Sequence, residues 1–272
     1  MAEDIRSQGF KRLTEFIKRL GPCAIGFSGG VDSSLVAAAA YEAHGRKALA
    51  VTVVSELLSC AEEEDAAWVA KSIGVRRATV KLSLLDEDEV ASNPPERCYL
   101  CKKVVFSAVK GLAGQKGITI ILDGTNADDA KTHRPGLKAL SEVGVVSPLA
   151  KLKVTKEQVR AMAEELGLPN YDRPSSPCLA TRFPYGTRLT EEGLRRVQAA
   201  EEFIRALGFP VLRVRDHGGL ARIEVEADMI PRITSSGVHK KIVAKLVSLG
   251  YNYVSLDLAG FRSGSMDVKK KT

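Results

Sequence analysis

Ser28-Gly29-Gly30-Val31-Asp32-Ser33-Ser34 follows the apolar run Cys23-Ala-Ile-Gly-Phe27 and opens an alanine-rich stretch that ends near His44. The run before it reads as a strand and the stretch after it as a helix. The two glycines permit backbone conformations that turn successive N–H groups toward one point. The helix start adds partial positive charge, and the hydroxyls of Ser28, Ser33 and Ser34 add donors. Together they make a socket for a pyrophosphate. The loop has no lysine where a Walker A motif needs one, and no G-x-G-x-x-G of a dinucleotide fold. On composition alone the bland reading is a tight turn with Asp32 as a helix-start acid.

Strands and helices alternate on both sides of this loop. The pattern predicts helices over 2–20, 31–44, 61–73, 99–112 and 155–166, with strands over 23–27, 47–54, 76–82 and 118–122. Ser59 is expected to cap the helix that begins at 61. Alternation of this kind implies an α/β fold with a parallel sheet covered on both faces. Ligands in such sheets sit beyond the carboxyl ends of the strands. Residues 170–190 hold Pro174, Pro177 and Pro184 and little periodicity, and long irregular segments are often functional. Beyond them a helix (191–207), two strands (211–215 and 222–226) around Asp216-His217-Gly218-Gly219, a helix (238–249) and a strand (251–256) describe a smaller α+β domain. The expected domains are 1–168 and 169–272.

The 272 residues, 44% hydrophobic and 27% charged, suit a globular chain and exclude collagen-like or wholly disordered classes. No run of 18 apolar residues and no apolar leader core is found, which points to a cytoplasmic protein without a membrane span. Residues 1–150 balance 19 basic against 19 acidic side chains, so 151–272 carry the whole net charge of +7. Lys269, Lys270 and Lys271 account for three of these and read as solvated. The arginines among the remainder suit planar, bidentate anions. Aromatic residues are only 6%, too few for a dedicated base-stacking surface, so no nucleic acid is expected as a partner.

A second loop, Asp123-Gly124-Thr125-Asn126-Ala127-Asp128-Asp129, closes the next strand. It reads either as a capped strand-to-helix turn or, at the same sheet edge as 28–34, as a holder of Mg2+ or ribose through Asp123, Asp128 and Asp129. Five cysteines in a cytoplasmic chain argue against a disulfide framework. Cys23 reads as a core residue and Cys60 carries no signal. Cys98 and Cys101 stand three apart at a helix start, beside Arg97, Lys102 and Lys103, where thiolates are favoured. Such a pair can be a zinc half-site, a redox pair or chance. Cys178 lies in the irregular segment, four residues before Arg182.

The first loop resembles the S-G-G-x-D-S motif of the PP-loop ATP pyrophosphatases. That family has an adenine-nucleotide α-hydrolase-like domain and, with ATP and Mg2+, transfers AMP to an oxygen and releases pyrophosphate. The stretches Pro177-Cys178-Leu179-Ala180-Thr181-Arg182-Phe183-Pro184-Tyr185-Gly186 and Gly260-Phe261-Arg262-Ser263-Gly264, with the two loops, narrow this to a resemblance to the LarE sulfur transferases over nearly the whole chain. The resemblance implies adenylation of a carboxylate of pyridinium-3,5-biscarboxylic acid mononucleotide and its conversion to a thiocarboxylate, for a nickel-pincer nucleotide. It implies Ser28, Gly29, Gly30, Asp32, Ser33, Ser34, Asp123, Gly124, Thr125, Asn126 and Asp128 as nucleotide ligands, and Cys178, Asp32 and Arg182 as catalytic. With Cys98 and Cys101 present beside Cys178, it implies a 4Fe-4S cluster on the three rather than sacrifice of the Cys178 sulfur. It also implies a sulfide donor, a homo-oligomer and handover to a nickel-inserting protein.

Strand alternation puts Arg213 and Arg215 on one face, opposite to Leu212 and Val214, and gathers Arg222, Glu224 and Glu226 on a face of the next strand. By spacing alone this is equally a solvated charge ladder or an anion site. The resemblance favours Arg182, Arg213, Arg215, Glu224 and Arg262 as the substrate site. Glu201 or Glu202 would assist, and His217 reads as a turn residue. Rival readings are a PP-loop tRNA thiolase, an amidotransferase-type synthetase, which needs no cysteine trio, and a nucleotide-sensing or iron–sulfur carrier protein.

Overall fold

The computed structural model describes residues 2–58, 60–131, 135–174, 177–262 and 266. Ser59, His133, Ser175, Ser176, Ser263, Gly264 and Lys269 to Lys271 lie outside them. The chain divides into two compact units, Met1–Leu84 with Glu96–Ser176, and Leu85–Pro95 with Pro177–Thr272.

The first unit contains α1 (Ala2–Leu20), β1 (Cys23–Gly26), α2 (Val31–His44), β2 (Leu49–Val54), α3 (Cys60–Ile73) and β3 (Arg76–Lys81). After the excursion 85–95, which carries α4 (Asp88–Ala91), come α5 (Arg97–Gln115), β4 (Ile120–Leu122), α6 (Ala127–Lys131), α7 (Pro135–Val143), α8 (Pro148–Lys151) and α9 (Lys156–Glu165). The strands run parallel in the order β3-β2-β1-β4. Alternate residues of β1 serve opposite faces. Cys23 and Ile25 join α1, α2 and α9 in one core, and Ala24 joins Phe106, Val109 and Leu140 in another. A sheet so covered needs apolar residues on both sides, which is why β1 and β2 read as continuous apolar runs. Helix α2 is buried along its alanines, whose small side chains let α1 and α9 pack close. Thr155 starts α9 with a reciprocal capping box to Gln158. Residues 169–174 belong to this unit rather than the next, because buried Asn170 donates to Gly29 O at 2.6 Å and to Ser34 Oγ at 2.9 Å.

The second unit contains α10 (Glu191–Ala206), β5 (Leu212–Asp216), β6 (Leu220–Val225), α11 (Ile230–Ile233), α12 (Val238–Ser248) and β7 (Tyr253–Leu256). β5 and β6 form an antiparallel hairpin, and β7 returns parallel to β6. Leu212, Val214, Ile223 and Val225 face Ile204, Ile242 and Leu246 in its core. The excursion is stitched into this unit: Asn93 Nδ2 donates to Pro184 O at 2.9 Å, and Gly186 N and Leu189 N donate to Asn93 O and Ala91 O at 2.8 and 2.7 Å.

Candidate functional site

Strand order reverses direction at β1, with β2 on one side and β4 on the other, so the crevice at their carboxyl ends is the topological switch point. The loops 27–30 and 123–126 leave β1 and β4 at that crevice. Gly29 has φ +74°, and a Cβ there would meet Ala66 Cα at 2.8 Å. A Cβ on Gly124 would meet Ser33 N at 2.7 Å. Both positions therefore require glycine, and the second lets the two loops touch.

A cavity of about 330 Å³ opens there. Its lining combines apolar Val51, Val53, Leu58, Val105, Phe106 and Val109, which suit a flat heteroaromatic ring, with polar Ser28, Asp32, Ser33, Asp123 and Thr125 and the backbone of Gly30. Gly30 caps α2 without a side chain of its own, and its N–H donates to Ser28 Oγ at 3.3 Å. Ser33 Oγ donates to Gly30 O at 2.9 Å and lies 3.3 Å from Ser28 Oγ. Ser34 is buried behind the loop, donating to Gly30 O at 2.9 Å; it braces the socket and does not line the cavity.

The carboxylates divide by role. Asp123 is buried, its Oδ2 accepts from Thr125 Oγ1, and its Oδ1 has no partner among the described residues. A buried carboxylate oxygen left over in a cavity calls for a ligand or an ion, and a hard oxygen donor fits Mg2+. Asp32 Oδ1 accepts from Asn126 Nδ2 at 3.0 Å, while its Oδ2 pairs with Lys156. Asn126 Oδ1 caps α6 by accepting from Asp128 N and Asp129 N at 2.9 and 3.1 Å. Asp128 Oδ2 accepts from Lys156 N at 2.8 Å, so Asp128 anchors α9. Sequence reading missed Lys156 and Asn170, and it took Lys102, which lines the cavity one residue after Cys101, only as a cation beside the thiols. The capping box at Thr155 marked the helix start that carries Lys156, but not its reach.

Cys98 is exposed and Cys101 half-buried, one turn apart at the start of α5. Two thiols so spaced are chemically able to ligate iron or zinc or to act as a redox pair. Cys178 belongs to the second unit. Among the described residues no three His, Cys, Asp or Glu side chains are grouped to hold a metal ion. Cys23 is fully buried in the core, and burial pushes its thiol up to about 12.

In the second unit, Arg213 stands opposite Glu224 and Arg215 opposite Arg222, so all four lie on one sheet face. Arg215 Nε and Nη2 grip Glu224 Oε2 at 3.0 and 2.8 Å, and both residues are buried. Arg182, expected as an anion clamp, is only 3% exposed and binds Glu201 with Nε and Nη2, both at 2.9 Å. Arg222 donates to Asp257 and to Glu224 Oε1. Arg213 differs. Its Nη1 reaches Leu212 O at 2.6 Å and its guanidinium stacks 5.3 Å from the Phe261 ring, with no carboxylate partner among the described residues. Burial, then repulsion from Arg182, Arg215 and Arg205 against attraction from Glu201, pulls it down to about 10. Arg262 is mostly exposed and 3.5 Å from Asp257. Among the described residues Arg213 is thus the cation of this face without a carboxylate partner, while Arg262, paired with Asp257, is the more exposed one.

Comparison with known proteins adds to this geometry. Residues 17–131 match the asparagine synthase family model. The chain is 40% identical over 257 residues to an uncharacterized protein of Synechocystis, covering 94% of this chain and 96% of that one. It is 32% identical to an uncharacterized protein of Methanocaldococcus jannaschii over 88% of this chain and 90% of the relative. It is 40% identical to the pyridinium-3,5-bisthiocarboxylic acid mononucleotide synthase of Lactiplantibacillus plantarum, over 94% of this chain and 92% of the relative. A PP-loop crevice in an α/β fold, joined to 40% identity with that synthase over 94% of the chain, establishes that the chain belongs to the LarE family of ATP-dependent sulfur transferases.

Proposed function

We propose that this enzyme adenylates a carboxylate of pyridinium-3,5-biscarboxylic acid mononucleotide and exchanges one of its oxygens for sulfur, in the biosynthesis of a nickel-pincer nucleotide. The observation that carries the nucleotide half is the switch-point cavity, whose lining joins apolar side chains to a glycine-turned helix start and an Asp123 oxygen without a partner among the described residues.

A carboxylate resists attack because oxide leaves badly. Its oxygen attacks the α-phosphorus of ATP, the bond to the β-phosphate oxygen breaks, and pyrophosphate leaves. Backbone N–H groups of residues 29–33 and the Ser28 and Ser33 hydroxyls receive the departing charge. Asp32 and Asp123 are the residues that would hold Mg2+, which supplies charge neutralisation when bound. Sulfur then attacks the carbonyl and AMP departs with the original oxygen. Arg213 and Arg262 hold the phosphate or the second carboxylate of the substrate. When bound, a 4Fe-4S cluster on Cys98, Cys101 and Cys178 would supply sulfide; in the direct alternative the Cys178 thiolate forms a thioester, and loss of its Cα proton with cleavage of the Cβ–S bond releases the thiocarboxylate and leaves dehydroalanine.

The test is anaerobic turnover with ATP, Mg2+ and the dicarboxylate, followed by mass spectrometry of product and protein. The expected product carries one sulfur in place of one oxygen, with pyrophosphate and AMP in equal amount. Iron and sulfide in the purified protein, with Cys178 intact after turnover, support the cluster route; conversion of Cys178 to dehydroalanine supports the sacrificial one. Pyrophosphate release without sulfur in the product overturns the proposal.

A further inference from the structure

Resting on the reading of Cys178 as a sulfur-bearing residue, we propose that two buried guanidinium–carboxylate pairs, Arg182–Glu201 and Arg215–Glu224, clamp the backbone around it. Arg182 is then a positioning residue and not a substrate ligand.

The turn that follows Cys178 is short. Leu179–Arg182 is one turn of 3-10 helix, and Cys178 gives it no side-chain cap. Such a turn is weakly held by its own hydrogen bonds. Both pairs compensate. Arg182 Nη1 donates to Pro177 O at 2.6 Å, to Cys178 O at 3.2 Å and to Thr181 Oγ1 at 3.0 Å. Thr181 in turn donates its Oγ1 to Cys178 O at 2.9 Å. From the other side Arg215 Nη1 donates to Thr181 O at 2.9 Å. The carbonyls flanking the thiol and the one at the end of the turn are therefore gripped by two different arginines.

Each arginine is itself immobilised. A guanidinium is a rigid planar fork, so two bonds to a carboxylate fix the direction of the third nitrogen. Glu201 binds Arg182 with both oxygens, is buried on α10, and also accepts from Val214 N at 3.0 Å. Glu224 holds Arg215 from the neighbouring strand and is fully buried. Packed apolar residues hold a fold at least as well as buried ion pairs do. What distinguishes these pairs is that the nitrogen each has to spare goes to the same six residues, 177–182.

The experiment compares the full chain with Arg182→Met, with Arg182→Met/Glu201→Gln and with Arg182→Lys. The readouts are melting temperature, nucleotide affinity by titration with a fluorescent ATP analogue, amide hydrogen exchange and thiocarboxylate formation. The single Met variant strands the Glu201 charge and melts lower. The double variant removes that charge, keeps a side-chain amide oxygen at position 201 to accept from Val214 N, and recovers the melting temperature and the parental nucleotide affinity. Its amides at 178–182 nevertheless exchange about tenfold faster, the loss expected from one or two hydrogen bonds, and thiocarboxylate formation falls at least as far. The lysine variant, charged but without the fork, behaves like the double variant. Parental exchange and parental sulfur transfer in the double variant overturn the clamp, as does its failure to fold. If the parent chain forms no thiocarboxylate while the exchange contrast holds, the functional reading falls and the clamp stands.

Discussion

The loop after β1 and the hairpin β5–β6 both carry the residue spacing of an anion site, yet they spend their polar atoms in opposite ways. At the first, hydroxyls and carboxylates face an open cavity, and one buried Asp123 oxygen is left over. At the second, Arg182, Arg215 and Glu224 are consumed by partners from their own unit, and only Arg213 lacks a carboxylate among the described residues. A receptor is recognised by the atoms that internal bonding leaves over, and a scaffold by their absence.

Four measurements would break or sharpen that contrast. Glu224→Leu deprives buried Arg215 of its two-toothed partner and is expected to lower the unfolding free energy by about 3–5 kcal/mol in urea titration; a loss near zero would mean the hairpin pairs are not scaffold. Asp32→Ala is expected to cut pyrophosphate release by about 10²–10³-fold, the scale of a lost electrostatic contact to the reacting groups. Its stability should move by less than about 1 kcal/mol, because the pair with Lys156 is partly solvated. Arg213→Gln should raise KM for the dicarboxylate about tenfold, as one charge-assisted contact is worth about 1.5 kcal/mol or more, and leave the urea midpoint in place. The smallest effect concerns His217, whose pKa burial lowers, with Arg222 adding to the shift. The folded chain then binds fewer protons than the unfolded one just below the ordinary imidazole pKa, so stability falls as pH drops through that range. His217→Asn should flatten that acid limb in thermal melts between pH 7 and 5.

Much of this was legible in the chain itself. The glycine-turned loop, the parallel sheet and the small α+β unit follow from alternating apolar runs, since periodicity reports which faces are covered. α7 was not foreseen, nor were the short helices, which have too few turns to show a period. The excursion 85–95 was also invisible. Its anchor, Asn93, is fully buried with φ +55° and bonds to Pro184 across 91 positions, a contact that no local pattern encodes. Strand alternation put Arg213 and Arg215 on one face but could not say which would be buried, so Arg182 and Arg215 read as ligands when their hydrogen bonds go to Glu201, Glu224 and the Cys178 turn.

The backbone passes from one unit to the other three times, at 84/85, 95/96 and 176/177. Neither unit is therefore a contiguous gene segment. A recombinant fragment starting at Pro177 would leave Gly186 N and Leu189 N without the carbonyls of Asn93 and Ala91. Swapping substrate modules among relatives at a single splice point would cut this stitching, and a workable chimera must carry the eleven-residue excursion together with the C-terminal portion.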